Sequence, residues 1–383
     1  MANLSSLRSK GRRGQFIACF PLARAWPRPH HHCKRRLLPD MLMENLWQEI
    51  DWNALERLRT AFLNRTAGAG DYWLCRRDLD SYDQTFAQRI GWKWDWLLAE
   101  LDHRGWQPPH GPLLDWGCGS GIASRAFLDH YGTTHYQPLW LYDRSLLAVE
   151  YAADRARAKY PGLTVAPAPT DAQPAVLLLS HVLSELSPPA FTALLQTIQR
   201  ATAVLWVESG DYETSRALIA AREVLRSDFH LIAPCTHSEK CGLLAPENTP
   251  HWCHHFAEPP PEIFADSDWV RFGQCAGVDL RSLPLSCLVL DRRPAPPLPE
   301  GSFRLIGWPR IYKPNAMILG CDAQGVRELS LLRRNHPELW RRLKQGEYSS
   351  TLMRWQSEGM EVRTLEIRTE EANGFGLQSE ETE

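Results

Sequence analysis

A chain of 383 residues with 44% hydrophobic and 23% charged residues has ordinary globular composition, which excludes a wholly disordered, collagen-like or coiled-coil protein and predicts two or three domains. The net charge of −2 hides an asymmetry: residues 1–40 hold nine Lys/Arg and one acid, Asp40, leaving 34 basic against 44 acidic residues in the remainder. No apolar run approaches the roughly 18 residues that span a bilayer, so no membrane partner is expected; the ten cysteines are too sparse for a disulfide scaffold, yet three fall within residues 235–253.

Residues 1–40 read as a basic disordered leader, with Lys34-Arg35-Arg36 following His30-His31-His32. An Arg-rich, acid-poor leader also suits an organellar transit peptide or a nucleic-acid arm, and Met41 and Met43 stand as alternative starts. The expected compartment is therefore the cytoplasm, or the mitochondrion if the leader is a transit peptide. Residues 41–104 read as a helical N-terminal region. Asp51 can cap a helix carrying Leu55, Leu58 and Phe62, and a second helix carries Phe86, Ile90, Trp94, Leu97 and Leu101 on one face. Trp92, Trp94 and Trp96 cannot share that face; packing is the plain reading and stacking on bases the alternative.

Residues 105–230 alternate short apolar runs with helical stretches: strands at 112–115, 139–142, 175–179 and 204–207, helices at 120–131, 145–160, 188–202 and 214–225. That alternation predicts parallel pairing in a doubly wound, Rossmann-like α/β sheet. Residues 231–301 form a Cys-, His- and Pro-rich segment ending in a strand near 283–290. Residues 302–350 read as a small β module with a helix, where Arg333-Arg334 and Arg341-Arg342-Lys344 gather beside Trp340. Residues 351–383 read as a polar tail.

The strongest chemical signal is Leu113-Leu114-Asp115-Trp116-Gly117-Cys118-Gly119-Ser120-Gly121. A strand ends in an acid, three alternate glycines follow, and a helix opens. Glycine lets a ligand approach the backbone and permits turns barred to side chains. The third glycine comes too early for a dinucleotide fingerprint, and no phosphate-binding P-loop is present. The pattern resembles motif I of class I S-adenosylmethionine-dependent methyltransferases. The resemblance implies cofactor contacts from Asp115, Gly117, Gly119, Gly121 and Ser180, with Asp143, at the end of the next strand, accepting from the ribose hydroxyls. Asp171 is a weaker candidate beside the adenine. His181, Glu185 and Glu208 are candidate acid/base or cofactor-orienting groups, although a packed His and a capping Glu are the plainer reading. No catalytic residue is specified.

Cys235, Cys241 and Cys253 have the spacing C-x5-C-x11-C, with His237, His251, His254 and His255 nearby. Such clusters in a reducing compartment bind metal more often than they form disulfides, and thiolates favour zinc or iron–sulfur. Spacing alone does not separate the two. The order of Ala233-Pro234-Cys235-Thr236-His237, Lys240-Cys241, His251-Trp252-Cys253-His254 and Ser286-Cys287-Leu288-Val289-Leu290, with Ser180–Leu186 and Val207-Glu208-Ser209-Gly210, resembles the methyltransferase-like family associated with the mitochondrial small ribosomal subunit and its bacterial relatives. The resemblance covers roughly residues 85–330. It implies a four-iron, four-sulfur (4Fe-4S) cluster on Cys235, Cys241, Cys253 and Cys321, with zinc as the alternative. Thr236 and Gly242 replace prolines usual in that family, and the acidic, Pro-rich 257–268 replaces a basic stretch. Cys287 reads as a core residue and Cys118 as a loop spacer. The chain is thus expected to be a monomeric methyltransferase acting on, or assisting assembly of, the small ribosomal subunit or its rRNA. A non-turning-over assembly factor and a small-molecule or protein methyltransferase are the alternatives.

Overall fold

The computed structural model describes residues 50–64 and 70–367; the basic leader and residues 368–383 lie outside them. Three helices open the described chain. Asp51 caps α1 (Trp52–Leu63) by accepting from Ala54 N at 3.0 Å. After α2 (Arg76–Gln84), α3 (Phe86–Arg104) runs to a left-handed Gly105. Trp94 is buried outright, Trp92 meets Trp269, and Trp96 stacks on His255 at 5.1 Å, so this tryptophan cluster packs the core.

The strand–helix alternation then appears as expected: β1 (Leu113–Trp116), α4 (Ile122–Tyr131), β2 (Leu139–Tyr142), α5 (Leu146–Lys159), β3 (Val165–Pro167), β4 (Val176–Ser180), α6 (Pro188–Ile198), β5 (Ala203–Ser209) and α7 (Tyr212–Leu225). Next come β6 (His230–Ala233), β7 (His255–Ala257), α8 (Ser267–Ala276) and β8 (Leu283–Asp291). The sheet order is β3-β2-β1-β4-β5-β8-β6, with β7 on the remaining part of β8's edge. Strands β1 to β5 pair in parallel, whereas β8 runs antiparallel between β5 and β6. The fold is therefore α/β and Rossmann-like, but its sheet is mixed. The physical reason is the path of the chain. The Cys-rich segment lies between β6 and β8, and the chain returns through it as the antiparallel strand that completes the sheet. That segment is an elaborated connection within the main sheet at both ends.

The last part is a second sheet: β9 (Ser302–Leu305), β10 (Arg310–Ile311), β11 (Asn315–Asp322), β12 (Gly325–Leu332), α9 (Pro337–Gln345), β13 (Leu352–Glu358) and β14 (Glu361–Glu366). Its order is β10-β11-β12-β14-β13-β9, and β9 also pairs with β11, which closes a barrel. β12 and β14 pair in parallel and the other pairs are antiparallel. A five-stranded Greek-key barrel with its helix between the third and fourth long strands is the arrangement of the OB fold. Residues 352–366 are thus not a polar tail. They turn Met353, Trp355, Val362 and Leu365 inward against polar residues outward, a pattern that low mean hydropathy conceals.

A buried ion pair joins the three parts. Arg304 on β9 meets Glu100 on α3, and its Nε donates to Pro234 O at 2.8 Å, beside the first clustered cysteine. Glu100 also accepts from Ser350 Oγ at 2.9 Å and Thr351 N at 2.6 Å.

Candidate cofactor cleft and cysteine pocket

A cleft of about 1060 Å³ opens at the C-terminal ends of β1, β2, β4 and β5, walled on its far side by α1 to α3. This is where open α/β sheets bind ligands. The glycine loop forms its floor. Gly117 N and Cys118 N donate to Tyr142 O at 2.7 and 3.0 Å, tying the loop to the end of β2. Gly117 has φ 72°, and a Cβ there would lie 2.7 Å from Val182. Gly119 has φ 50° and nothing within 4 Å of a Cβ position, so the space above it is open for a ligand to lie on the backbone.

Asp143 locks this loop from the next strand. Its Oδ2 accepts from Gly119 N at 2.9 Å and its Oδ1 from Ser145 N at 3.0 Å, while burial raises its pKa. Each oxygen retains a lone pair for a donor in the cleft, and a neutral sugar suits this acid where a phosphate would not. Ser180 also lines the cleft, held by Trp94 Nε1 at 3.0 Å. Asp115 and Gly121 do not line it. Asp115 lies beneath the loop with Oδ2 accepting from Ser124 N at 3.2 Å, and burial pushes its pKa up to about 7. Gly121, at φ 77°, caps α4 and packs on Ala152. Both shape the loop from behind. Asp171 is exposed and away from the cleft, because the chain after β3 turns outward there.

The three acid/base candidates all line the cleft but differ in what engages them. Glu208 is held by Val182 N, Leu183 N and Trp206 Nε1 at 2.9, 3.0 and 2.8 Å, all on Oε1, so it anchors the turn after β4. Burial pushes its pKa to about 7. Glu185 accepts from Tyr72 OH at 3.4 Å and faces Arg144 at 3.6 Å; burial raises it to about 7 as well. His181 has a left-handed φ of 55°, uncommon for a non-glycine residue. Its N–H donates to Val207 O at 2.9 Å, its buried Nε2 has no partner among the described residues, and burial holds its pKa well below the usual value.

Sequence reasoning missed Lys93, Tyr72 and Arg144, all on the cleft wall. Lys93 faces His181 and Glu208 electrostatically, and burial lowers its pKa to about 7. A signal existed: Lys93 falls three and seven residues after Ile90 and Phe86 and four after Arg89, so cations interrupt an apolar helical face. The N-terminal helices also brace the loop, since Arg125 pairs with buried Asp83 and donates to Ser120 O at 2.6 Å.

The cysteine pocket lies further along α7, at Ser215, Ile219 and Arg222. Cys241, Cys253 and Cys321 pack with Ile219, Leu243 and Ile306. Arg222 Nε donates to Cys235 Sγ at 3.4 Å, and its Nη2 to His237 O at 3.3 Å. Glu223 accepts from Cys241 N at 3.1 Å. Gly242 passes so close to the β11–β12 hairpin that a Cβ would lie 2.8 Å from Val326 N, which brings Cys241 beside Cys321. Burial pushes Cys241 to about 11 and raises Cys253 and Cys321 further; a charge on Cys235 opposes ionisation of all three. His237 Nε2 lies 3.6 Å from Cys321 Sγ. The structure therefore gathers the four cysteines. Among the described residues no group of three or more His, Cys, Asp or Glu is disposed around a single metal ion. Cys287 is buried on β8 and Cys118 within the glycine loop, as expected, while Cys75 and Cys275 are exposed.

Residues 99–260 match the family model described as "Rsm22: Mitochondrial small ribosomal subunit Rsm22", which bears out the resemblance read from the sequence. No curated protein matches. Among solved structures, the chain is similar to magnesium protoporphyrin IX methyltransferase from Synechocystis PCC 6803 with bound S-adenosylmethionine (13% identity, 64% of this chain and 98% of that one, TM-score 0.34). It is also similar to a plantazolicin methyltransferase in complex with S-adenosylhomocysteine (10%, 63% and 100%, 0.34) and to an S-adenosylmethionine-dependent methyltransferase from Aquifex aeolicus (16%, 34% and 78%, 0.27). At such TM-scores nothing about this chain's activity rests on those structures. No helix among the described residues is long and apolar enough to cross a membrane.

Proposed function

We propose that the chain binds S-adenosylmethionine in this cleft and acts as a methyltransferase on the small ribosomal subunit or its rRNA. The observation that carries the cofactor assignment is the Gly119–Asp143 lock: a backbone floor open above Gly119, with a carboxylate beside it positioned for vicinal hydroxyls. The family match over residues 99–260 supports the ribosomal partner.

The cofactor supplies an electrophilic methyl group on a sulfonium. The chain's part is positioning and proton handling. Gly117 and Gly119 would present backbone to the cofactor, Asp143 a ribose acceptor, and Ser180, fixed by Trp94, a polar group on the cleft wall. Glu208 keeps the following turn in place. Lys93 lines the cleft, and burial lowers its pKa to about 7, where an amine can exchange a proton near neutrality. Calorimetric titration of S-adenosylhomocysteine tests the site: binding is expected, and its absence in folded protein refutes the cofactor assignment. Crosslinking to RNA in cells, with sequencing of the adducts, tests the partner: enrichment of small-subunit rRNA is expected, and its absence favours a small-molecule or protein acceptor.

Cys235, Cys241, Cys253 and Cys321 fit a thiolate-bound 4Fe-4S cluster in a structural role. One buried and three half-buried cysteines beside an apolar cluster, with an Arg222 N–H on the sulfur of Cys235, are the kind of donor set and outer contact such a group uses. Zinc is the alternative. Anaerobically purified protein is expected to be brown with about four irons per chain. A colourless protein with one zinc replaces the cluster by zinc.

A further inference from the structure

The barrel of β9 to β14 is unexplained by methyl transfer. In OB folds, oligonucleotides lie on the face of the second and third strands and on adjoining loops. Here much of that face is taken: Leu319, Cys321 and Val326 pack into the cysteine pocket. What stays open is one edge, formed by the β9–β11 loop and the turn after β12.

That edge collects exposed rings and cations. Trp308 is 54% exposed and leans on Phe256 at 4.6 Å; Tyr312 is 49% exposed. Arg310, Lys313, Arg333 and Arg334 are exposed. The two segments are fixed to one another. Arg333 N donates to Pro314 O at 2.9 Å, Trp340 Nε1 donates to Tyr312 O at 3.1 Å, and the Arg333 guanidinium covers the Trp340 ring at 4.4 Å. Gly307 N donates to His254 O at 2.9 Å, which braces the other end of the loop. Arg310 is committed to Glu328, and Arg341 and Arg342 to Glu338, so the cations with a use for phosphate are Lys313, Arg333 and Arg334. Among the described residues, exposed cations set beside exposed rings at this edge attract a polyanion.

We propose that this edge of the barrel binds single-stranded RNA, with bases stacking on Trp308 and Tyr312 and phosphates meeting Lys313, Arg333 and Arg334. Stacking tolerates any base, so the contact is not sequence-specific; the cations fix the strand's path. The inference rests on the ribosomal reading only for which RNA is met in the cell.

Fluorescence anisotropy of a labelled oligouridylate ten-mer with the full chain tests it. The wild type is expected to bind, with Trp308→Ala and Tyr312→Ala each weakening binding at least about fivefold. Lys313→Ala and Arg334→Ala are each expected to lower the slope of log affinity against log salt by roughly 0.7. All four variants should bind S-adenosylhomocysteine like the wild type. Failure of the wild type to bind the oligonucleotide overturns the inference, as does unchanged binding by both aromatic variants, or equal binding of polyglutamate. Oligonucleotide binding without small-subunit rRNA crosslinks sinks the ribosomal reading and leaves this surface standing.

Discussion

The candidate cofactor cleft meets the first turn of α7, the cysteine pocket packs along its later turns, and the two are built in opposite ways. The cleft draws its floor from neighbouring stretches, Trp116–Ser120 and Tyr142–Arg144, and presents mainly backbone and buried carboxylates. Its geometry is a property of strand ends and glycine dihedrals, present before any ligand arrives. The cysteine pocket draws one thiol from each of three turns within the connection and a fourth from a different sheet. Burial keeps Cys241, Cys253 and Cys321 protonated until something compensates them. The contrast sets a cleft whose walls are in place beside a thiol pocket that the proposed metal would complete.

The largest expected effect tests the second half of that contrast. Cys321→Ser, on the barrel, should lose iron as completely as Cys241→Ser, from about four per chain to below about one, by iron assay on anaerobic protein. Retention by Cys321→Ser alone would confine the site to the connection. Binding must also release thiol protons, so metal retention against a chelator should weaken as pH falls. Cys287→Ser serves as the control, since that side chain only packs β8.

The preformed site is tested next. Gly119→Arg places a long side chain in the open space above the loop, and affinity for S-adenosylhomocysteine should fall about 100-fold or more by calorimetry. Because nothing lies within 4 Å of that Cβ, the melting temperature should fall far less than for Gly117→Val, where Val182 is in the way. Equal melting losses would mean the loop is not preformed.

The cleft was largely legible in the sequence and the cysteine pocket only partly, for physical reasons. Alternate glycines and an acid at a strand end act within a few residues, so Gly117, Gly119 and Asp143 were found directly. Asp115 and Gly121 belong to the same motif yet act from behind the loop, and no spacing tells a lining residue from a supporting one. Lys93 and Tyr72 reach the cleft from a separate helical layer, so only three-dimensional packing reveals them. The hairpin β13–β14 was missed because its outward residues are charged, which lowers the average that a linear reading weighs. The antiparallel β8 was read as a strand, but its place between β5 and β6 depends on a connection too irregular to follow.

The barrel meets the main α/β part at Glu100 and Arg304, and that junction sets how independent the two are. Both side chains are buried and both have further hydrogen bonds. Removing one charge leaves the other stranded, so Glu100→Gln should cost about 3–5 kcal/mol in urea unfolding. Glu100→Leu with Arg304→Met should cost less than the single change. If the barrel and the main sheet fold as one unit, a single transition moves; two transitions would show that the barrel folds by itself.

The smallest effect concerns the carboxylate behind the glycine loop. Asp115 is buried, with Oδ1 lacking a partner among the described residues, and its folded pKa of about 7 lies above its unfolded value near 3.9. A raised acid binds more protons folded than unfolded over that interval. Its contribution is therefore complete below about pH 4 and is lost as pH rises through about 7. Glu185 and Glu208 act in the same direction. Asp115→Asn, which keeps the shape and cannot ionise, should remove roughly 1–3 kcal/mol of the wild type's decline between pH 4 and 7, read from urea midpoints. An unchanged slope would mean water reaches Asp115 in solution. The loop above it would then be looser than a preformed site requires, and the contrast between cleft and cysteine pocket would narrow accordingly.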